Sequence, residues 1–209
     1  MSHGTRPSHP RRRATNRHPV PPLGPPTLRA LWERQAAEAN GPDGFHHVHG
    51  PHTHGWLLED AVPELLEPVL HPDDDPLEPT FFANLGGPLA AALLARLGPD
   101  RLVHRSNGSP PLGHLLRTAA EHPDEVVLHG FVLGPGRCDE RLVAEGAIVR
   151  FEADLLVTEQ HVPDCECELL WAYVVDELGL GDALHAPHRI HRIHRADAPG
   201  ETWWRLLWA

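Results

Sequence analysis

Apolar residues along this chain recur with two periods, one helical and one alternating. Leu28, Leu31, Trp32 and Ala36 share a helical face, Thr27 stands where an N-cap belongs, and Gly41 closes the run. The spacing therefore predicts a helix from Leu28. Asp60 to Leu70 reads as a short helix with Pro63 in its first turn. Pro88 to Leu97 reads as an apolar helix stopped by Gly98, and Leu112 to Glu121 as another ended by His122-Pro123. The second half changes period. Val126, Val127, Leu128, Phe131, Val132 and Leu133 lie in one apolar run that ends at Gly134-Pro135-Gly136, the pattern of a buried strand. From Ala147 to Val157 apolar and polar positions alternate, as in a strand with one wet face. Asp164 is placed to cap a helix through Leu178, with Leu170, Trp171, Val174, Val175 and Leu178 inward and Gly179 as its stop. His188–Arg195 and Thr202–Trp208 flank Asp197-Ala198-Pro199-Gly200 and read as a hairpin.

This order predicts an α+β fold, with a helical N-terminal half packed on a small, mostly antiparallel sheet from the C-terminal half. Residues 1–26 hold seven prolines and no apolar period, so they are expected to be a disordered Pro/Arg/His-rich tail. Residues 27–209 are expected to form one α+β domain. Residues 71–80 read as an acidic loop, and a short helix is expected between Cys138 and Glu145.

Composition narrows the chemistry. Lysine is absent, so all 18 basic residues are arginine, which removes every mechanism built on a P-loop or Schiff-base lysine. The depletion of residues with A- and T-rich codons points to a bacterial, high-GC genome. Residues 1–40 carry seven arginines against two glutamates, whereas residues 41–209 carry eleven arginines against 27 acids. An acidic body repels a phosphate backbone, so no nucleic-acid partner is expected for it. No run approaches the ~18 apolar residues of a membrane span. Three cysteines make no disulfide framework and no secretory leader is visible, so a cytoplasmic location is expected.

Two clusters could bind a metal. His46, His47, His49, His52 and His54 put five imidazoles in nine positions, with donors suited to zinc, nickel or copper. The Gly and Pro content around them suits an exposed loop of weak metal affinity that does not organise the fold. The second cluster holds all three cysteines. Cys138-Asp139-Glu140 precedes the alternating strand, and His161-Val162-Pro163-Asp164-Cys165-Glu166-Cys167 follows it and opens a helix. This order resembles the zinc site of cytidine-deaminase-type enzymes. The resemblance implies zinc held by Cys138, Cys165 and Cys167, with Glu140 as the acid/base and His161 able to replace one thiol. The family spaces its paired cysteines three apart. Here they are two apart, about 200° around a helix, so their sulfurs are expected to diverge unless Cys165 lies ahead of the first helical turn.

Asp73, Asp74, Asp75 and Glu78 read as a solvated acidic loop, and Arg150, Glu152 and Asp154 as cross-strand ion pairs. His188, Arg189, His191, Arg192, His194 and Arg195, near Trp203 and Trp204, form the basic-aromatic patch of the body. Asn107-Gly108-Ser109 lacks the flanking pattern of a nucleophile elbow. Two functions follow as expectations. The first is a non-catalytic binding or regulatory domain for a protein or small-molecule partner. The alternative is a zinc-dependent hydrolase of the deaminase type.

Overall fold

The computed structural model describes residues 27–41, 55–71, 78–158 and 164–208. Thr27 caps α1 (Leu28–Ala39) with its Oγ1 accepting from the Ala30 N–H, and the helix buries Leu28, Trp32, Gln35 and Ala39. The helix expected from Asp60 to Leu70 is shorter, α3 (Val62–Leu66), and a further short helix, α2 (Trp56–Glu59), precedes it. Ala61 stands between them in the left-handed region, at φ 57°. Pro63, which has no N–H to donate, fits only the first turn of a new helix. β1 (Leu70–His71) and β2 (Thr80–Leu85) follow, then α4 (Gly87–Arg96), the short α5 (Pro99–Leu102) and α6 (Leu112–Glu121). The second half supplies β3 (Val126–Leu133), β4 (Arg141–Arg150), α7 (Cys167–Asp176), β5 (Arg189–Ile193) and β6 (Trp203–Leu207).

The strands form one antiparallel sheet in the order β1-β2-β3-β4-β6-β5, five full strands with the two-residue β1 at one edge. The fold is α+β, but helices and strands interleave. β1 and β2 come from the front half and α7 from the back, so the division into a helical half and a sheet half holds only in part. The expected helix between Cys138 and Glu145 is absent. Leu133 pairs with Arg141, which makes residues 141–145 the first half of β4. β4 also ends sooner than the alternation suggested, at Arg150. Its neighbour β6 starts at Trp203, which faces Arg150, and one further bond, from the Phe151 N–H to the Thr202 carbonyl, closes the ladder.

Directly opposed residues of an antiparallel pair share a face, and this sorts the sheet. One face carries Val126, Leu128, Val132, Ala144, Ala147, Val149, Trp204 and Leu206. These join one core with Leu93, Leu115, Leu116, Ala119, Leu170 and Val174 from the helices. The other face carries a separate small cluster of Val127, Ile148 and Trp203, to which, among the described residues, no helix contributes. Among the described residues no helix is long and apolar enough to cross a membrane.

Candidate functional site

β4 has two unlike halves. Gly146 to Val149 pair with β3 on one side, and Gly146 to Arg150 with β6 on the other. Arg141 to Glu145 have β3 on one side and, among the described residues, no strand on the other. A register shift between His129 and Gly130 leaves Glu145 without a residue opposite it, because Ala144 and Gly146 take the neighbouring partners. Such a bulge redirects a side chain out of the pleat, and Glu145 lines the cavity that opens here. The last ladder contact is the Trp208 N–H, which donates to the Glu145 carbonyl at 3.0 Å.

The other wall is the loop between α5 and α6. Ser106 to Ser109 form a tight turn, with Asn107 at φ 44°, Gly108 at φ 79° and the Ser109 N–H donating to the Ser106 carbonyl at 2.8 Å. Two successive left-handed residues demand an Asn-Gly type of pair. Space demands glycine as well, since a Cβ on Gly108 would lie 2.3 Å from His185 Nε2. Arg105 anchors the loop: its Nη1 donates to the Ser109 carbonyl at 2.9 Å and to the Asp182 carbonyl at 2.7 Å. Asn107 Nδ2 reaches the Trp208 carbonyl at 3.4 Å, tying the loop to the end of β6.

The cavity between these walls has a volume of about 240 Å³. His104, Arg105, Ser106, Asn107, Arg141 and Glu145 supply its polar lining, and Phe131, Leu142 and Val143 part of its apolar lining. Burial raises the proton affinity of Glu145, which the nearby Arg205 partly counters. Ser109 is not activated as a nucleophile: its Oγ accepts from the Ser106 N–H at 3.1 Å and donates to the Pro110 carbonyl at 2.9 Å.

The residues singled out by sequence are scattered. The loop from His46 to His54 and His161 lie outside the described residues, as do residues 1–26 and Asp73 to Asp75. Glu140 is buried at 7% exposure and serves another element. Its carboxylate accepts from the Gly55 N–H at 2.6 Å and the Leu57 N–H at 2.9 Å, so it caps α2, and the indole N–H of Trp56 donates to its carbonyl at 3.1 Å. Burial pushes this carboxyl up to about 7, against the pull of those N–H groups and of Arg101. Arg101 stacks 4.3 Å from the Trp56 ring and pairs with Asp60. Among the described residues no three of His, Cys, Asp or Glu come together as a metal-holding group, so Cys138, Glu140, Cys165 and Cys167 do not assemble one. The two cysteines do not share the helix: α7 begins only at Cys167 and Cys165 precedes it. Burial and the neighbouring Cys165 push the Cys167 thiol up to about 11. Asp164 does not cap α7; Glu166 occupies the cap position.

The basic-aromatic patch is largely satisfied by its own neighbours. Arg195 pairs with Asp197 at 2.6 Å and stacks on Trp203 at 4.3 Å, and Arg192 pairs with Asp154 at 2.6 Å. Arg150 faces Glu125, Glu152 and Glu201 at 3.6–3.9 Å, the ordinary ion pairs expected of it. Sequence reasoning missed Arg105, Arg141 and Glu145. The Asn107-Gly108 turn was the one local signal of a shaped loop there, and nothing in sequence placed it against β4. No protein family, curated protein or solved structure matches the chain.

Proposed function

We propose that this chain is a non-catalytic binding domain that holds a small anionic molecule in the cavity between the α5–α6 loop and the first half of β4. The observation carrying this reading is the pairing of two guanidinium groups, Arg105 and Arg141, with hydroxyl, amide and imidazole groups around one concavity of an otherwise acidic body. Guanidinium is a planar fork that matches carboxylate and phosphate oxygens. Arg105 is fixed by two carbonyls and stands 3.6 Å from Asp182, so it shapes the wall. Arg141 is exposed at the rim and available to a ligand. The volume lies below the roughly 300–1,000 Å³ of drug-sized ligand sites, which favours a small carboxylate or phosphate ester. The commitment of Ser109 to backbone partners supports binding over acyl-transfer chemistry.

The test is a thermal-shift and calorimetric screen of small carboxylates and phosphate esters against the full chain. At least one compound should raise the melting temperature in proportion to the logarithm of its concentration, and Arg141→Ala should abolish that response while leaving the ligand-free melting temperature unchanged. A screen without a responder, or an equal response from Arg141→Ala, would overturn the reading.

A further inference from the structure

We infer that the second face of the sheet, turned away from the main core, binds a short single strand of nucleic acid through base stacking and arginine contacts. It borders the β4 cavity at Phe131 and Val143 but owes nothing to the ligand proposed for that cavity. Register places its groups. Val127, His129 and Phe131 alternate along β3 toward this face. Phe81 of β2 stands opposite Phe131, and the two rings meet edge to face with 6.1 Å between centroids. Phe81 is 56% exposed, so it offers water an aromatic surface on which a base can stack. Two positions back along β3, His129 faces Gly146, Gly146 faces Leu207, and Leu207 faces Arg189 on the edge strand β5. Arg205 stands opposite His191 and reaches back over His129, with its Nε 3.3 Å from Nε2 and its Nη2 3.4 Å from Nδ1. Aromatic and basic groups therefore run across the sheet from β2 to β5, a path of roughly 19 Å at the usual strand spacing and so long enough for a few nucleotides.

Charge on this face runs against the sum over the chain. The net charge of −11 speaks against a nucleic-acid partner for the body as a whole, but a sum does not describe one face. Elsewhere arginines are neutralised: Arg29, Arg101, Arg137, Arg192 and Arg195 each pair with a carboxylate. Among the described residues no carboxylate forms an ion pair with Arg189 or Arg205, and Arg189 is exposed. Glu145 feels the charge of Arg205 without an ion pair to it. The aromatic end selects the partner. An acidic polypeptide would answer the arginines but has no planar group for Phe81. A single strand answers both ends, with phosphates for the guanidinium groups and unpaired bases for the ring. A duplex keeps its bases stacked on one another and cannot offer them to Phe81.

The experiment is fluorescence anisotropy of the full-length chain with labelled single-stranded homopolymers of about 12 nucleotides, repeated across salt concentrations. The wild type should bind the single strands, more weakly as salt rises, and should hold a duplex of equal length about tenfold less tightly. Phe81→Ala should weaken binding about tenfold, within the range of one lost stacked base, and leave the salt dependence unchanged. Arg189→Ala should lower the slope of log affinity against log salt by about 0.7, the share of one phosphate contact. Arg189 is exposed, so Arg189→Ala decides the matter if Phe81→Ala fails to fold. Residues 1–40 carry seven arginines, and binding that survives both substitutions would belong there and overturn the site. Equal affinity for the duplex or for poly-glutamate, or no binding at low salt, overturns it as well.

Discussion

Two regions bury an ionisable side chain, and burial acts on them in opposite directions. At the seat of α2, Glu140 is 7% exposed; on β3 two positions from Val127, His129 is 5% exposed. Withdrawal from water disfavours whichever form is charged. It therefore pushes the Glu140 carboxyl up to about 7 and the His129 imidazole down to about 4. The surroundings differ as well. Glu140 meets two backbone N–H groups that favour its carboxylate, which limits the rise. His129 meets Arg205, whose Nε donates to its Nε2 at 3.3 Å and whose charge lowers the imidazole further. Each region thus keeps a titratable group near neutrality, one by holding a proton and the other by refusing one.

The largest effect should come from breaking the packing at the first region. Trp56 is buried, donates to the Glu140 carbonyl and carries Arg101 on its ring. Trp56→Ala should cost about 3–5 kcal/mol of unfolding free energy, as large aromatic truncations in cores do. Urea denaturation checks this, and a loss below about 1 kcal/mol would mean that α2 is not anchored through this indole.

Stability against pH sharpens the comparison, because the two groups pull in opposite senses over nearly the same window. Between its ordinary 4.5 and about 7, Glu140 keeps in the folded state a proton that the unfolded chain has lost. Its contribution is full below 4.5 and fades as pH rises through 7. His129 in the folded state refuses a proton that the unfolded chain accepts below 6.5, so its contribution is full above 6.5 and fades as pH falls through 4. Each spans a stability change of about 3 kcal/mol, taken from the size of the shift at 1.36 kcal/mol per unit. In the wild type the two slopes offset one another. In Glu140→Gln stability should fall steeply with acidification from pH 6.5, and in His129→Gln it should fall as pH rises from 4.5. Denaturant midpoints across pH measure this, and wild-type profiles in both variants would refute the burial account.

The smallest effects come from two glycines, one in each region. A Cβ on Gly146 would lie 2.0 Å from the Leu206 carbonyl oxygen and 2.6 Å from His129 Nε2. Gly146→Ala must displace β6 or the imidazole and should cost about 1–3 kcal/mol, the range of overpacked cores. Gly55 has open space but a φ of 84°, so Gly55→Ala should cost only about 1–2 kcal/mol from its left-handed backbone. Thermal denaturation separates them: raised proton affinity at residue 129, read by its imidazole NMR titration, should accompany Gly146→Ala alone.

Much of the fold was legible in the sequence wherever local chemistry was enough. Thr27 and its apolar period predicted α1, the run ending at Gly134-Pro135-Gly136 predicted β3, and the Asp197–Gly200 turn predicted the β5–β6 hairpin. The misses share one cause. β2 is six residues long, with Asn84 at φ 57° and a register shift before Leu85, so it shows no clean alternation. It is a strand because Thr80 to Phe82 pair with β3. Residues 141–145 were read as the end of a short helix from Cys138, and pairing with β3 made them strand. The candidate chemistry was less legible still. The cysteines were visible by type and spacing, but whether they share one helix depended on where α7 begins.

By itself, the sequence determined the Thr27 cap and the periods of the longer elements, which depend on residues within a few positions of one another, and the acidic body and absence of lysine, which are composition. The tertiary structure alone decided that β6 stops short along β4, that Glu145 is bulged toward an arginine-lined cavity, and that Glu140 closes a helix 85 residues away. These depend on which backbone groups satisfy one another across the sheet. That competition for hydrogen bonds and burial is settled between distant segments, and no local pattern encodes its outcome.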